Sequence, residues 1–261
     1  MRRIVLLSCL LLLSTSAFAG MQAKPLEWKV GKQRFSGFVV YDDASKAVRP
    51  GLVMVPNWMG VNASAVEKAK AVAGDKYVVL VADIYGKGVH PKDSKEAGEQ
   101  AHKAYADGGV AIRARAQAAV DVLKAQKGKV PLDDTRIGAF GFCFGGSVVL
   151  ELARSGSDVK GVVSLHGGLD TYLPAKDNVV RTSVLALNGA ADSSVTDKHI
   201  ADFEKEMDAA KADWQLVDFG GAVHCFTQPE SNELPNCVYN ERAAKRAFRM
   251  MGDFFDERFG G

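Results

Sequence analysis

One stretch limits the possible folds more than any other. Thr135-Arg136-Ile137-Gly138-Ala139-Phe140-Gly141-Phe142-Cys143-Phe144-Gly145-Gly146-Ser147 reads as an apolar strand that runs through a glycine-bracketed cysteine into a helix. A strand that turns sharply into a helix strains the turning residue, and side chains two before and two after it crowd the turn. Gly141 and Gly145 stand at those two places, giving G-x-C-x-G. The turn lifts the Cys143 sulfur above the sheet and sets it at the positive end of the next helix, which favours a thiolate. The backbone N–H of Phe144, just past the turn, is a ready donor to an oxyanion. Taken alone, the pattern also fits an inert cysteine in a tight turn, or a turn that cradles phosphate.

Around this stretch, apolar strands alternate with amphipathic helices. Residues 26–30 and 34–41 alternate in polarity about Gly31-Lys32 and predict an opening β-hairpin. Residues 51–55, 77–82, 159–165 and 183–187 predict strands buried on both faces, and 214–219 the last strand. Helices are predicted over 63–73 with Asn62 as N-cap, once within 90–109, and over 111–127, 197–211 and 241–258. In the 111–127 segment Ile112, Ala116, Ala119, Val120 and Leu123 share one face. The alternation predicts an α/β fold: a mostly parallel, doubly wound sheet with an N-terminal antiparallel hairpin, formed by one domain over 20–261.

The first nineteen residues read as a cleavable signal peptide, with Arg2-Arg3, an apolar run from Ile4 to Leu13 and Ala17-Phe18-Ala19 as the cleavage site. A retained anchor, or a lipoprotein signal at Leu6-Leu7-Ser8-Cys9, is the alternative. The expected location is periplasmic or secreted, with no membrane attachment after cleavage. Loss of Arg2 and Arg3 from 33 basic residues leaves 31 against 31 acidic ones, a formal charge of zero. With no basic cluster interleaved by aromatics, nucleic acid is not an expected partner; the chain is expected to be a monomer. After cleavage Cys143, Cys225 and Cys237 remain. An odd number in an oxidising compartment points to one functional thiol and one disulfide, Cys225 to Cys237, against the alternative of two free thiols.

In an open α/β sheet, ligands bind at the carboxyl ends of the strands. Cys143, Asp192 and His224 each follow a predicted strand, in the order nucleophile, acid, histidine that α/β-hydrolases use. His224 would take or hold the thiol proton, and Asp192 would fix its tautomer and stabilise its charged form. Of the other histidines, His166 reads as structural or as a support to the site; His90, His102 and His199 lie in polar surroundings. Asp170 is a rival acid that comes too early in the order, and Asp83 reads as a loop-backbone partner. Trp58, Met59, Tyr85, Phe142 and Phe144 form either a pocket rim or core. No metal-ligand spacing is present, and neither a metal nor a cofactor is expected.

Gly141-Phe-Cys-Phe-Gly-Gly146, Asp83-Ile-Tyr-Gly86, Asn188-Gly189 leading to Asp192, and Gly221-Ala-Val-His-Cys-Phe-Thr227 together resemble the dienelactone hydrolase family. The resemblance runs from the first buried strand to the last helix. It implies a single-domain α/β-hydrolase fold, a cofactor-free Cys/Asp/His triad at Cys143, Asp192 and His224, and carboxylic-ester hydrolysis of the carboxymethylenebutenolidase type. It also implies a second oxyanion donor, the N–H of Trp58. Two departures stand out. Asn57 occupies the place of a glutamate that helps control the thiol proton, and Asn57 cannot take a proton. Two arginines that hold the substrate carboxylate correspond to Lys87 and Gln228, so one cation remains, as a point charge in place of a fork. Asn57, Tyr85 and Lys87 are therefore the expected substrate-binding residues.

Sulfur at the nucleophile position narrows the substrate class independently. When the tetrahedral intermediate collapses the better leaving group departs, and a thiolate normally leaves before an alkoxide. Turnover therefore favours small-molecule lactones, aryl esters and thioesters. Two other classes compete with this expectation: a ligand-binding module that has lost catalysis, and a thiol redox protein in which Cys143 pairs reversibly with Cys225 or Cys237.

Overall fold

The structure is a computed structural model and describes residues 20–176 and 179–260. The expected signal peptide lies outside them. β1 (Met21–Val30) and β2 (Gln33–Asp42) form the opening hairpin. Gly31, at φ 57°, supplies the left-handed residue that its two-residue loop requires. Trp28 stacks on its register partner Phe35, with ring centroids 6.2 Å apart.

The hairpin adds antiparallel to β4 (Val78–Val81), beyond which every pairing is parallel. The eight strands run in the order β1-β2-β4-β3-β5-β6-β7-β8. The remaining strands are β3 (Arg49–Val55), β5 (Leu132–Phe142), β6 (Gly161–Leu165), β7 (Ser183–Gly189) and β8 (Trp214–Phe219). β3 shows why a run without alternation makes a central strand: Leu52 and Met54 enter the core on one face, Val53 and Val55 the core on the other.

The core that takes Val53 and Val55 is covered by α3 (Val110–Lys124), α4 (Phe144–Arg154) and α5 (Asp197–Ala209). The core that takes Leu52 and Met54 is covered by α1 (Ala63–Ala73) and α6 (Glu241–Phe259). Burial in α3 falls on Ile112, Ala116, Ala119, Val120 and Leu123, the face its periodicity predicts. α1 begins where the Asn62 side chain accepts the Ala65 N–H at 2.9 Å. α2 (Ser94–Ala104) fills part of the polar excursion before α3. A two-stranded ribbon, β9 (Asn232–Glu233) with β10 (Cys237–Val238), stands apart from the sheet and was not predicted. Among the described residues, no helix is long and apolar enough to cross a membrane.

Candidate active site

β5 and α4 build the centre of the site. Cys143 joins them at φ 53° and ψ −119°, a strained backbone for a residue with a side chain. The strain persists because neither neighbour can hold a Cβ. An added Cβ at Gly141 would stand 2.1 Å from the Gly145 carbonyl oxygen, and one at Gly145 would stand 2.1 Å from that of Val55. The turn presses α4 against the ends of β5 and β3, and it leaves Cys143 half-buried at the mouth of the helix. Phe144 opens α4, so its N–H is one of those a helix leaves without an internal partner.

β7 and β8 supply the other two groups. Asp192 follows β7 in a tight loop closed by its own N–H to the Gly189 carbonyl at 2.9 Å, and it is buried. His224 follows β8. Its Nδ1 lies 2.7 Å from Asp192 Oδ2, and its Nε2 lies 2.9 Å from Cys143 Sγ. The three predicted residues thus meet in one line, although Cys143 and His224 are 81 positions apart in sequence. Burial opposes a charge on His224, but the hydrogen bonds to Asp192 and Cys143 overcome it and raise the imidazole to about 10. Burial alone would raise the Asp192 carboxyl; the hydrogen bond from His224 holds it below the usual range instead.

His166, fully buried after β6, sets its ring edge-on to His224 with centroids 5.2 Å apart, and its Nε2 meets Thr227 Oγ1 at 2.7 Å. Burial, with His224 adding to it, holds this ring well below the ordinary histidine value, so it stays neutral beside the imidazolium. Asp170, the rival acid, is exposed. His199 is not simply solvated: it closes the capping box of α5 with Thr196.

A cavity of about 520 Å³ opens over Cys143 and His224 and is bordered by Asn57, Trp58 and Met59 from the loop after β3. Asn57 lines the cavity. Its Oδ1 accepts the Met59 N–H at 3.1 Å, and its Nδ2 donates to Gln228 Oε1 at 2.6 Å. The Trp58 N–H makes no hydrogen bond among the described residues. On the far wall Lys68 of α1 pairs with Glu230, a polar boundary that the sequence did not reveal.

Two expected substrate contacts are placed elsewhere. Lys87 turns to the surface and pairs with Glu27 of β1 at 2.7 Å, outside the cavity lining. Tyr85 is buried behind the loop: its ring packs on Phe144 with centroids 5.2 Å apart, and its hydroxyl donates to the Trp58 carbonyl at 2.9 Å. It therefore holds the loop that carries Trp58. Asp83 acts as a backbone partner, accepting the N–H groups of Tyr85, Gly86 and Ser36.

Cys225 and Cys237 are joined as a disulfide, and Cys143 is the free cysteine among the described residues. The bond borders the cavity beside His224. Among the described residues no group of three or more His, Cys, Asp or Glu side chains is placed to hold a metal ion.

The dienelactone hydrolase family model matches residues 35–259. A solved structure named m3DLH is 33% identical, with a TM-score of 0.86 over 92% of this chain and 99% of its own. A dienelactone hydrolase-like promiscuous phosphotriesterase from metagenomic libraries is 32% identical, with a TM-score of 0.83 over the same shares. A Caenorhabditis elegans protein without an assigned activity is 35% identical over 157 residues, which is 57% of this chain and 94% of that protein.

Proposed function

The chain belongs to the dienelactone hydrolase family, and on that premise we propose that it is a cysteine-dependent hydrolase of lactones and activated carboxylic or thio esters. The observation that carries this is the contact of Cys143 Sγ with His224 Nε2 at 2.9 Å, at a strained turn that opens into the cavity. In this reading Cys143 attacks the acyl carbon as a thiolate while His224 keeps the proton on Nε2. The N–H groups of Phe144 and Trp58 take the developing oxyanion. Collapse of the intermediate expels the leaving group, which receives the His224 proton where it needs one, and leaves a thioester on Cys143. With that proton gone to the leaving group or to solvent, His224 is neutral and takes a proton from water, which attacks the thioester; the acid is freed and Cys143 leaves as the thiolate. Asp192 holds the imidazole in the tautomer this sequence requires.

The same reading covers the carboxymethylenebutenolidase type, action as a monomer, and a periplasmic or secreted location. The location is supported by the charged and apolar N-terminus and by the Cys225–Cys237 disulfide. A second activity, on phosphotriesters, is favoured by the 32% identity to the promiscuous phosphotriesterase.

The test is hydrolysis of p-nitrophenyl acetate, a thioester, an enol lactone and a neutral p-nitrophenyl phosphotriester by the mature chain, with the reduced Cys143 thiol counted first. Turnover in the wild type that vanishes in Cys143→Ala supports the proposal. Equal turnover in both refutes it, and saturable binding of these compounds with no turnover points to a ligand-binding module.

A further inference from the structure

The acid of the triad is gripped by a group outside the sheet. Asp192 Oδ2 is taken by His224, while Oδ1 accepts the Ser194 N–H at 2.8 Å and Asn236 Nδ2 at 3.2 Å. The Asn236 amide cannot be turned round, because its Oδ1 accepts the Ser193 N–H at 3.0 Å and only a carbonyl oxygen can do so. Its Nδ2 is therefore committed to Asp192 and to Ser194 Oγ, the latter at 3.1 Å.

Asn236 sits in a short segment with little to hold it. β9 and β10 pair over only two residues each, far below what a hairpin needs for independent stability. What fixes the segment is its junction with the His224 loop. Val238 N–H donates to the His224 carbonyl at 3.1 Å, Asn240 N–H donates to the Phe226 carbonyl at 3.1 Å, and Cys237 is bonded to Cys225. Cys225 follows His224, and Cys237 follows Asn236. One covalent bond thus joins the residue next to the base to the residue next to the group that grips the acid.

We propose that Asn236 is a positioning residue for the Asp192 carboxylate, and that the Cys225–Cys237 disulfide is the tether that keeps it in place. The proposal rests on the hydrolase reading for its kinetic consequence and on geometry alone for its effect on the Cys143–His224 pair. A donor to a charged acceptor is typically stronger than a neutral one, and Asp192 keeps the Ser194 N–H when Asn236 is lost. Asn236→Ala should therefore lower kcat about tenfold with KM nearly unchanged. It should also move the alkaline limb of the pH profile to lower pH, since a loosened carboxylate stabilises the imidazolium less. Asn236→Asp keeps the acceptor for Ser193 but turns an anion toward Asp192, and should cost more than the alanine.

The experiment is a cycle of Asn236→Ala, Cys225→Ser/Cys237→Ser, and the three changes combined, read by kcat, KM and the pH dependence of Cys143 alkylation by iodoacetamide. The expected result is that each arm loses a similar factor, with the same shift of the alkylation profile, and that Asn236→Ala costs nothing further once the disulfide is gone. Loss of melting temperature with an unmoved profile would make Asn236 merely structural, and additive losses would make the disulfide independent of it; either overturns the proposal. If the wild type turns over no ester, the alkylation profiles still decide the positioning, so its failure and that of the hydrolase reading are distinct.

Discussion

One methyl group added at Gly145 would wedge α4 away from β3. The Cβ of Gly145→Ala would stand 2.1 Å from the Val55 carbonyl oxygen and 2.4 Å from that of Pro56, where ordinary contact begins at 3.4 Å. Both obstacles are backbone, so a gap of about 1.3 Å must open by moving the helix or the strand end, since no side chain can swing aside. Overpacking of this kind costs about 1–3 kcal/mol, and the upper end applies because Cys143 already sits in a strained conformation. With a urea m-value of about 3 kcal/mol/M for a chain of this size, the midpoint should fall by about 1 M. The same movement carries the sulfur and the Phe144 N–H away from the loop with Trp58, and misplacement by about 1 Å costs on the order of a hundredfold in rate. Urea titration by circular dichroism and p-nitrophenyl acetate turnover, with Gly220→Ala as a control whose Cβ meets nothing within 4 Å, check both figures. Wild-type stability and turnover in Gly145→Ala would refute the account of the turn.

Two further outcomes separate roles within the site. His224 is raised to about 10 by Asp192 and Cys143 against the effect of burial, so its proton is available below that pH and lost as pH rises through it. kcat/KM for an alkyl ester, whose alkoxide needs that proton, should fall above about pH 10, while p-nitrophenyl acetate should fall less; identical alkaline limbs would remove His224 as the acid for the leaving group. Tyr85→Phe deletes only the hydroxyl that holds the Trp58 carbonyl. A net hydrogen bond of about 0.5–1.5 kcal/mol predicts a kcat about two- to tenfold lower with KM unchanged. A raised KM at constant kcat would instead return Tyr85 to contact with substrate.

The sheet was legible because its signals are local or periodic. β3 and β4 announce themselves as uninterrupted apolar runs, α3 by a face repeated at helical spacing, and the turn at Cys143 by glycines at two fixed offsets. The order of Cys143, Asp192 and His224 could be read because strand ends in a parallel sheet share one edge. The contacts of long side chains could not. Lys87 looked free to reach a ligand, but the antiparallel addition of the hairpin brings Glu27 beside it, a pairing that no property of the segment around residue 87 encodes. Tyr85 was misplaced for a related reason: its hydroxyl has a partner in Trp58 that only the assembled β3 and β4 loops bring near. β9 and β10 were missed because two residues carry no period, and Asn236 was missed with them. The cysteine count did point to the bond that holds that segment, since pairing by elimination needs no geometry.

Synthesis runs from residue 1 onward, and it meets the parts of this site in an unhelpful order. The sulfur at Cys143 leaves the ribosome 81 residues ahead of His224, and Cys225 follows while Cys237, 12 positions later, is still to come. An oxidant that met the chain in that interval would find Cys143 and Cys225 without Cys237. The turn itself is local: β5 and α4 are adjacent in sequence, and the N–H of Cys143 donates to the Leu165 carbonyl at 2.9 Å. The glycines that shape the nucleophile thus set the Cys143 turn against residues that precede both Cys225 and Cys237 in the chain, so the sulfur owes its place to neither of them.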